Sequence, residues 1–416
     1  MKALTWEGVN ELAVNQVPDP QLLNNQDAIL KVNLSSVCGS DLHQLSGYIP
    51  FMRAGDVIGH EFMGEIVEVG PDVRRHRVGD RVVVCSVIAC GRCWYCEQGL
   101  FSCCDNGNTN PAITETLWGY HPAGIFGYSH AMGGFKGSHA EYIRLPYADH
   151  IAFPVPDGVD DMSALFASDS APTGWMGADL GGVQPGDVVA VWGCGAVGQM
   201  AARAAMLLGA ERVIAIDRYD YRLEMTERHI GCEVLNYERT DVDGELRERT
   251  GGRGPDVCIE AVGLEAHTPG PQYRLEQAKQ QLRLETDRPH AVRQAILSCR
   301  KGGSVFVLGV LLRAGRQVPD GGADEQGPDP ARRPAARRAL RPDAARPHRP
   351  RRAADGPPRH PPDAAGRWAP RVRPVQTQAG RVRASGLPAL TRRPARAARG
   401  GAGVPRWLVA RGLPGS

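Results

Sequence analysis

The 416-residue chain has no apolar run approaching the roughly 20 residues that a membrane-spanning helix needs. Its first residues, MKALTWEGVNELAV, lack the basic segment and apolar stretch of a secretory signal. All 11 cysteines lie before residue 300, and four of them form a tight cluster. In a chain without a secretory signal, such clustering indicates metal binding rather than disulfides. We therefore expect a cytoplasmic protein that has no membrane partner.

Residues 311–416 contain no Lys, Ile, Phe, Tyr, Met, Asn or Cys, and 74 of these 106 positions are Arg, Ala, Pro or Gly. Their net charge is +16 (23 Arg against 7 Asp and Glu), whereas residues 1–310 carry −13 (26 basic against 39 acidic side chains). A segment with so few large apolar residues cannot bury a core. We expect a globular part that ends near residue 310 and a disordered, low-complexity basic tail after it.

Two interpretations of this tail are open. An arginine-rich arm could bind nucleic acid. Alternatively, Arg, Ala, Pro and Gly are the residues that a GC-rich gene yields when it is read out of frame. The back-translated codons of residues 317–330, read from their second base, are compatible with the apolar sequence KFPMGALMNKGLTL. We favour the frameshift, and we do not expect a nucleic-acid partner.

The order of strand and helix patterns predicts two folded domains. Residues 1–155 carry short Val- and Ile-rich segments between turn signals, such as DAILKVNLSS, GEIVEVG, GDRVVVCSVI and AEYIRLP, which predict a mostly β domain. Residues 156–181 connect the two domains. In residues 182–310 the segments VVAVWG, RVIAID, DVCIEAVG and SVFVLGV alternate with helical stretches, which predicts a parallel sheet covered by helices. The fold class is therefore α/β.

A dinucleotide-binding fingerprint follows the first strand of that sheet. Gly193, Gly195 and Gly198 have the G-x-G-x-x-G spacing, with Ala196 and Val197 inside it. These glycines allow a tight turn, a close approach of the pyrophosphate to the backbone, and packing of the next helix on the strand.

An acidic residue stands where the coenzyme ribose is expected. Asp217 ends the second strand, 19 residues after Gly198, and such a carboxylate favours NAD over NADP. The neighbouring Arg218 could pair with a 2′-phosphate, so NADP stays an alternative coenzyme. Val262 is expected to contact the coenzyme as well. A glycine-rich turn in an unrelated α/β fold is the alternative interpretation.

Four cysteines lie on one loop at metal-binding spacing. Cys90, Cys93, Cys96 and Cys104 can surround one Zn²⁺ ion as a tetrahedron of thiolates at about 2.3 Å. Four protein ligands leave no open coordination position, so we predict a structural zinc. Four free, buried cysteines are the alternative.

Three separated segments carry further zinc ligands. Cys38 in CGSDLH, His60 in GHE and Asp169 in SDSAPTG can supply three ligands and leave one position open, as a catalytic zinc requires. Each residue alone is more typical of a buried core or a helix cap. Glu61 adjoins His60 and could support the ligands or exchange with one of them.

Two side chains that can carry protons follow Cys38. Ser40 could take the proton from a zinc-bound alcohol, and His43, as a surface imidazole, could pass it to water.

Together these motifs resemble the zinc-dependent, medium-chain alcohol dehydrogenase family. GHEFMGEIVEVG, the four-cysteine loop, GCGAVG and KGGSVFVLG occur in the family's order within residues 1–310. Within the family, Asp169 and the segment LETDRPHAVRQAI most resemble the sequences of the glutathione-independent formaldehyde dehydrogenases and their alcohol dehydrogenase relatives.

The resemblance implies a fold, a reaction and residue roles. The family combines a GroES-like catalytic domain with a Rossmann domain, and it uses a catalytic zinc, a structural zinc and NAD. By position, Cys38, His60 and Asp169 would be the catalytic zinc ligands, Ser40 and His43 the proton relay, and Thr173 the neighbour of the nicotinamide. The expected reaction is hydride transfer from a small alcohol, or from an aldehyde hydrate such as that of formaldehyde, to NAD.

Two other outcomes remain open at this stage. The chain could be an inactive truncated product, because in the family the part after residue 310 supplies the last sheet strands. It could instead be a non-catalytic protein that binds NAD and zinc and contacts nucleic acid through its tail. The family also implies a homo-dimer or a homo-tetramer.

Overall fold

The structure is a computed structural model that describes residues 1–266 and 290–310. All of them belong to one compact unit. The predicted tail, residues 311–416, lies outside the described residues, and so do residues 267–289. Within the described ranges, no helix is long and apolar enough to cross a bilayer.

The described chain contains short strands and helices throughout. The strands are β1 (Lys2–Gly8), β2 (Glu11–Gln16), β3 (Ala28–Ser36), β4 (Asp56–Val57), β5 (Glu61–Val69), β6 (Arg81–Val84), β7 (Val87–Ile88), β8 (Gly124–Ile125), β9 (Tyr142–Leu145), β10 (Ala152–Pro154), β11 (Val188–Trp192), β12 (Arg212–Asp217), β13 (Glu233–Asn236), β14 (Val257–Glu260) and β15 (Ser304–Val307). The helices are α1 (Gly39–Leu45), α2 (Trp94–Glu97), α3 (Pro111–Trp118), α4 (Ala148–Ile151), α5 (Asp161–Leu165), α6 (Ser170–Leu180), α7 (Ala196–Leu207), α8 (Asp220–Ile230), α9 (Val242–Arg249) and α10 (His290–Ser298).

The first part of the chain is mostly antiparallel sheet. Five strands pair in the order β10-β6-β5-β3-β9, and a smaller sheet has the order β2-β1-β4. Alternate residues of the larger sheet, among them Leu30, Phe62 and Val84, are fully buried in one core. Phe62 meets Phe126 edge to face, with ring centroids 5.3 Å apart. Period-two alternation thus produces the β domain that the sequence predicts.

The second part is a parallel sheet of five described strands. Its order is β13-β12-β11-β14-β15, and all four pairings are parallel. Val189 and Val191 pack on the side of α6 and α7, whereas Ala190 and Trp192 pack on the side of α9 and α10. Helices therefore cover both faces, which confirms the predicted α/β class.

The strand order places a topological switch point at β11. The chain leaves β11 for β12 on one side of it, while β14 pairs on the other side. Ligands of open parallel sheets bind at such a switch point, beyond the carboxyl ends of the strands. The loop Gly193–Gly198, the residues after Asp217 and Val262 all follow strands at this edge.

The last strand, β15, forms the edge of the sheet among the described residues. It pairs with β14 on one side, and Ser304 and Val307 are exposed, whereas every residue of β14 is buried. Apolar edge strands in folded proteins are normally covered or paired.

Helices α6 and α7 touch through a glycine. A Cβ atom added at Gly174 would lie 2.5 Å from the backbone nitrogen of Ala201 and 2.5 Å from Cβ of Met200. Backbone at that distance cannot give way, so only glycine permits this approach.

We expect Gly174→Ala to lower the free energy of unfolding by about 1–3 kcal/mol, because overpacking outweighs the better helix propensity of alanine. Gly39→Ala is the matched control, since a Cβ atom there meets nothing within 4 Å. Urea unfolding of both variants measures the difference. Equal stabilities would show that α6 and α7 can move apart at little cost.

Candidate active site

Three metal-binding side chains converge where α1 meets the start of β5. Donor atoms of Cys38, His60 and Glu61 all lie within 4.8 Å of one another. His60 and Glu61 are buried, and Cys38 is partly buried just before α1. Buried ionisable groups need a compensating partner. A thiol, an imidazole and a carboxylate at this spacing are a donor set that fits zinc. The structure thus brings together two of the three predicted ligands and adds Glu61.

Both oxygens of the Glu61 carboxylate accept hydrogen bonds. Ser170 Oγ donates to Glu61 Oε1 over 3.1 Å, and Ser36 Oγ donates to Glu61 Oε2. Since Ser170 is the first residue of α6, this buried contact ties β5 of the antiparallel sheet to a helix that covers the parallel sheet.

Asp169 lies directly before α6, outside the group formed by Cys38, His60 and Glu61 in the described structure. Thr173 Oγ1 donates to Asp169 Oδ1 over 2.8 Å. The predicted third ligand and the predicted neighbour of the nicotinamide are therefore hydrogen-bonded to each other. Their roles stay predictions.

Asp41 is a site residue that the sequence reasoning missed. Its Oδ2 accepts the backbone N–H of Cys38 at 2.9 Å, and its Oδ1 lies 3.5 Å from His60 Nδ1. A carboxylate behind a ligating imidazole fixes which ring nitrogen carries hydrogen. Asp41 stands three residues after Cys38, which is the spacing of a capping box at the start of a helix. This spacing in the sequence indicates that the Asp41 side chain turns back toward Cys38.

Charge pairing shifts the pKa values of both partners. Burial alone would lower the pKa of His60, but the Asp41 carboxylate, assisted by Cys38, raises it well above the usual range. Burial alone would raise the pKa of Asp41, but His60 and His139 hold it well below the usual range. Asp41 is therefore a buried, ionised carboxylate.

The two predicted relay residues lie on α1. Ser40 Oγ is 3.7 Å from Cys38 Sγ. His43 is only 4% exposed, on the inward face of α1 beside Gln44. The interpretation of His43 as a surface imidazole is therefore wrong, because the helix turns this position toward the interior.

The fingerprint loop has the geometry of a pyrophosphate cradle. Gly193 has a φ of 94°, and an added Cβ would come within 2.9 Å of Val262. A Cβ at Gly198 would lie 1.7 Å from the carbonyl oxygen of Gly193, whereas Gly195 faces open space. Helix α7 begins at Ala196, so free amides at its positive end border that space.

Asp217 holds the loops around the expected ribose position. Its carboxylate accepts backbone N–H groups of Cys194 at 2.7 Å, Arg218 at 2.7 Å and Tyr219 at 3.0 Å. The guanidinium of Arg218 lies over the Tyr219 ring, 4.6 Å from its centroid, and 3.8 Å from Glu238. An acceptor and a cation therefore stand side by side at the end of β12.

The four-cysteine loop forms one cluster. The sulfur atoms of Cys90, Cys93, Cys96 and Cys104 all lie within 4.8 Å of one another, and those of Cys93 and Cys104 are 3.9 Å apart. No disulfide joins them. Four sulfur donors at this spacing fit a closed, tetrahedral zinc site.

Hydrogen bonds prepare one of these thiols for ionisation. Burial raises the pKa of Cys90, but a hydrogen bond from the Asn106 side chain and several backbone contacts bring it down to about 7. Burial raises the pKa of Cys104 to about 12. Since metal binding requires thiolates, the site is expected to release protons when it is loaded.

We expect Cys104→Ser to remove about one zinc ion per chain and to lower the melting temperature, because a structural zinc contributes directly to folding. Cys103→Ser is the matched control, since Cys103 is the exposed neighbour. Elemental analysis and thermal unfolding measure both effects. Equal zinc content in the two variants would contradict the assignment of this site.

Two family models match the chain. The alcohol dehydrogenase GroES-like domain matches residues 24–157, and the zinc-binding dehydrogenase model matches residues 196–269. A zinc-type alcohol dehydrogenase-like protein of Bacillus subtilis is 39% identical over 313 residues, which are 74% of this chain and 79% of that protein. The glutathione-independent formaldehyde dehydrogenase of the same organism is 33% identical, over 75% of each chain.

Solved structures show the same two-domain fold. The alcohol dehydrogenase of Thermus sp. ATN1 has a TM-score of 0.60 and 34% identity, over 74% of this chain and 78% of that one. A zinc-binding dehydrogenase from Sinorhizobium meliloti bound to NADP has a TM-score of 0.58 and 27% identity, over 76% of this chain and 79% of that one.

These matches confirm a GroES-like domain joined to a Rossmann domain and an oxidoreductase that uses zinc and a nicotinamide coenzyme. They do not favour a non-catalytic binding protein. The chain therefore belongs to the family of zinc-dependent, medium-chain alcohol dehydrogenases.

Proposed function

We propose that the chain oxidises small alcohols, or an aldehyde hydrate such as that of formaldehyde, with NAD as hydride acceptor. The observation that carries the proposal is the convergence of Cys38, His60 and Glu61 beside Ser170 at the start of α6. Helix α6 packs against α7, which begins within the fingerprint loop. Relatives named for alcohols and for formaldehyde support this substrate range.

We assign the catalytic zinc to Cys38 and His60, with a carboxylate as third ligand. Glu61 fills that place in the described arrangement. Asp169, the third ligand that the sequence predicts, adjoins Ser170, which itself donates to Glu61. An exchange of the two carboxylates would disturb the hydrogen bonds that Ser170 donates to Glu61 and Thr173 donates to Asp169.

The chain's own residues then handle the proton. Bound zinc supplies Lewis acidity that lowers the pKa of a substrate hydroxyl, and bound NAD supplies the hydride acceptor. Ser40, whose Oγ lies 3.7 Å from Cys38 Sγ, would accept the hydroxyl proton, and His43 on the same helix is the second proposed member of the relay that returns this proton to water. Thr173, hydrogen-bonded to Asp169, packs beside the nicotinamide.

We propose a preference for NAD over NADP. The Asp217 carboxylate at the end of β12 accepts ribose hydroxyls and repels a 2′-phosphate. The Arg218 guanidinium, a candidate phosphate partner, lies over Tyr219 and near Glu238, and that of Arg222 lies 3.8 Å from Asp217 itself. The NADP in the Sinorhizobium meliloti relative makes the comparison of both coenzymes necessary.

We expect the purified protein to reduce NAD with short alcohols or formaldehyde and to reduce NADP with a lower kcat/KM. Ser40→Ala should lower kcat by about 10²–10⁴-fold, the range for loss of a general acid–base group. Ser40→Thr, which keeps a hydroxyl, is the matched control. Equal kcat in Ser40→Ala and the unchanged protein would exclude Ser40 from the proton path.

We further propose that residues from about 311 onward are translated out of frame. The match to the Bacillus subtilis relative covers 74% of this chain, which is the share that residues 1–310 make up of 416. The exposed edge of β15 is consistent with a further strand in the original protein. The homo-dimer or homo-tetramer that the family resemblance implies would depend on the in-frame sequence after residue 310. A location in the cytoplasm stays a prediction.

We expect resequencing of codons 300–325 to show one base gained or lost. A chain with the restored frame should bind NAD more tightly and melt at a higher temperature, because burial of the β15 edge adds apolar contacts. An unchanged gene sequence, together with an intact mass of 44.9 kDa for the natural product, would show that the tail is genuine.

A further inference from the structure

A second imidazole contacts the carboxylate that supports His60. Nε2 of His139 lies 3.7 Å from Asp41 Oδ2, while the other oxygen, Oδ1, lies 3.5 Å from His60 Nδ1. The three residues are each no more than 4% exposed. Asp41 is thus enclosed between two imidazoles in the interior.

The Asp41 carboxylate depends on both of these rings. Its backbone donor is the N–H of Cys38, which reaches Oδ2 over 2.9 Å, while Oδ1 makes no hydrogen bond in the described structure and has His60 Nδ1 at 3.5 Å. A buried carboxylate with one conventional hydrogen bond needs further positive or donor groups nearby. His60 and His139 are the two groups placed to provide them.

The orientation of the His139 ring is fixed from its far side. His139 Nδ1 lies 2.9 Å from Ser35 Oγ, and the same hydroxyl lies 3.1 Å from the backbone oxygen of Glu61 and 2.8 Å from Ser138 Oγ. A Cβ atom at Gly59 would come within 2.6 Å of His139 Nδ1, so the ring packs where any side chain at position 59 would lie. His139 Nε2 then faces the carboxylate across 3.7 Å, beyond hydrogen-bond distance, where a hydrogen on this nitrogen attracts the carboxylate and a bare lone pair would repel it.

We propose that His139 is a positioning residue of the catalytic zinc site. It holds the Asp41 carboxylate so that Oδ1 faces His60 Nδ1, which keeps that nitrogen protonated and leaves the other one free for a metal. The proposal rests on the assignment of zinc to Cys38 and His60. It makes His139 part of the site although it touches neither substrate nor zinc.

Two substitutions separate this role from simple packing. Gln places an amide nitrogen where His has Nε2, so His139→Gln keeps a donor toward Asp41. Asn places an amide nitrogen where His has Nδ1, so His139→Asn keeps the contact with Ser35 and loses the donor toward Asp41. Both variants leave a polar side chain in the same cavity.

We expect His139→Asn to bind the catalytic zinc about tenfold more weakly, as measured by competition with a chelator, because removing an outer-shell partner costs 10–100-fold. Its kcat should fall while KM for NAD stays unchanged. His139→Gln should restore zinc affinity and kcat to near the values of the unchanged protein. In the cobalt-substituted protein, the visible absorption bands should shift in the Asn variant and return in the Gln variant.

Controls separate this proposal from the assignment of the zinc site. His76→Asn replaces another buried histidine, 6% exposed, in the same domain and should leave zinc affinity unchanged. Cys38→Ser should remove one zinc ion. If Cys38→Ser retains full zinc content, the zinc site and the role of His139 are both overturned. If Cys38→Ser loses zinc while His139→Asn and His139→Gln bind zinc with equal affinity, only the role of His139 is overturned. The same conclusion follows if His76→Asn weakens zinc binding as much as the His139 variants do.

Discussion

The close contact of α6 with α7 sets the geometry on which the candidate site depends. Gly174 lets the two helices approach until backbone meets backbone. Because Ser170 at the start of α6 holds Glu61, the zinc-binding group is connected to this helix pair. Because α7 begins within the fingerprint loop, the coenzyme cradle is connected to it as well. One packing contact therefore joins two chemical sites that lie in different domains.

The electrostatics of the donor group favour a divalent cation. A thiolate at Cys38 and the carboxylates of Glu61 and Asp41 would place three negative charges in a small, mostly buried volume. Nearby imidazoles offset part of this charge, and two serine hydroxyls satisfy the oxygens of Glu61. A bound dication would complete the compensation, which gives a physical reason for the burial of so many ionisable groups at one place.

Local sequence patterns predict the elements and fail where tertiary packing decides. Strands β3, β5, β11 and β12 follow from their alternation or their apolar runs, and the fingerprint turn follows from the spacing of its glycines. The burial of His43 and the contact of His139 with Asp41 do not follow from any local sequence pattern. They depend on which face of α1 turns inward and on a bend just before β9, about 100 residues away in sequence. The arrangement around Glu61 and Asp169 likewise depends on where α6 begins.

The three backbone amides bound by Asp217 restrict how this protein could be redesigned for another coenzyme. Removing a negative charge at the end of β12 is the obvious route toward acceptance of a 2′-phosphate. Here the same carboxylate joins the turn after β11 to the residues that lead into α8. An apolar residue at position 217 would release Cys194 and Tyr219 together, and asparagine would keep only one of the two acceptor oxygens. Coenzyme exchange would therefore require new support for both loops, and no single substitution would accomplish it.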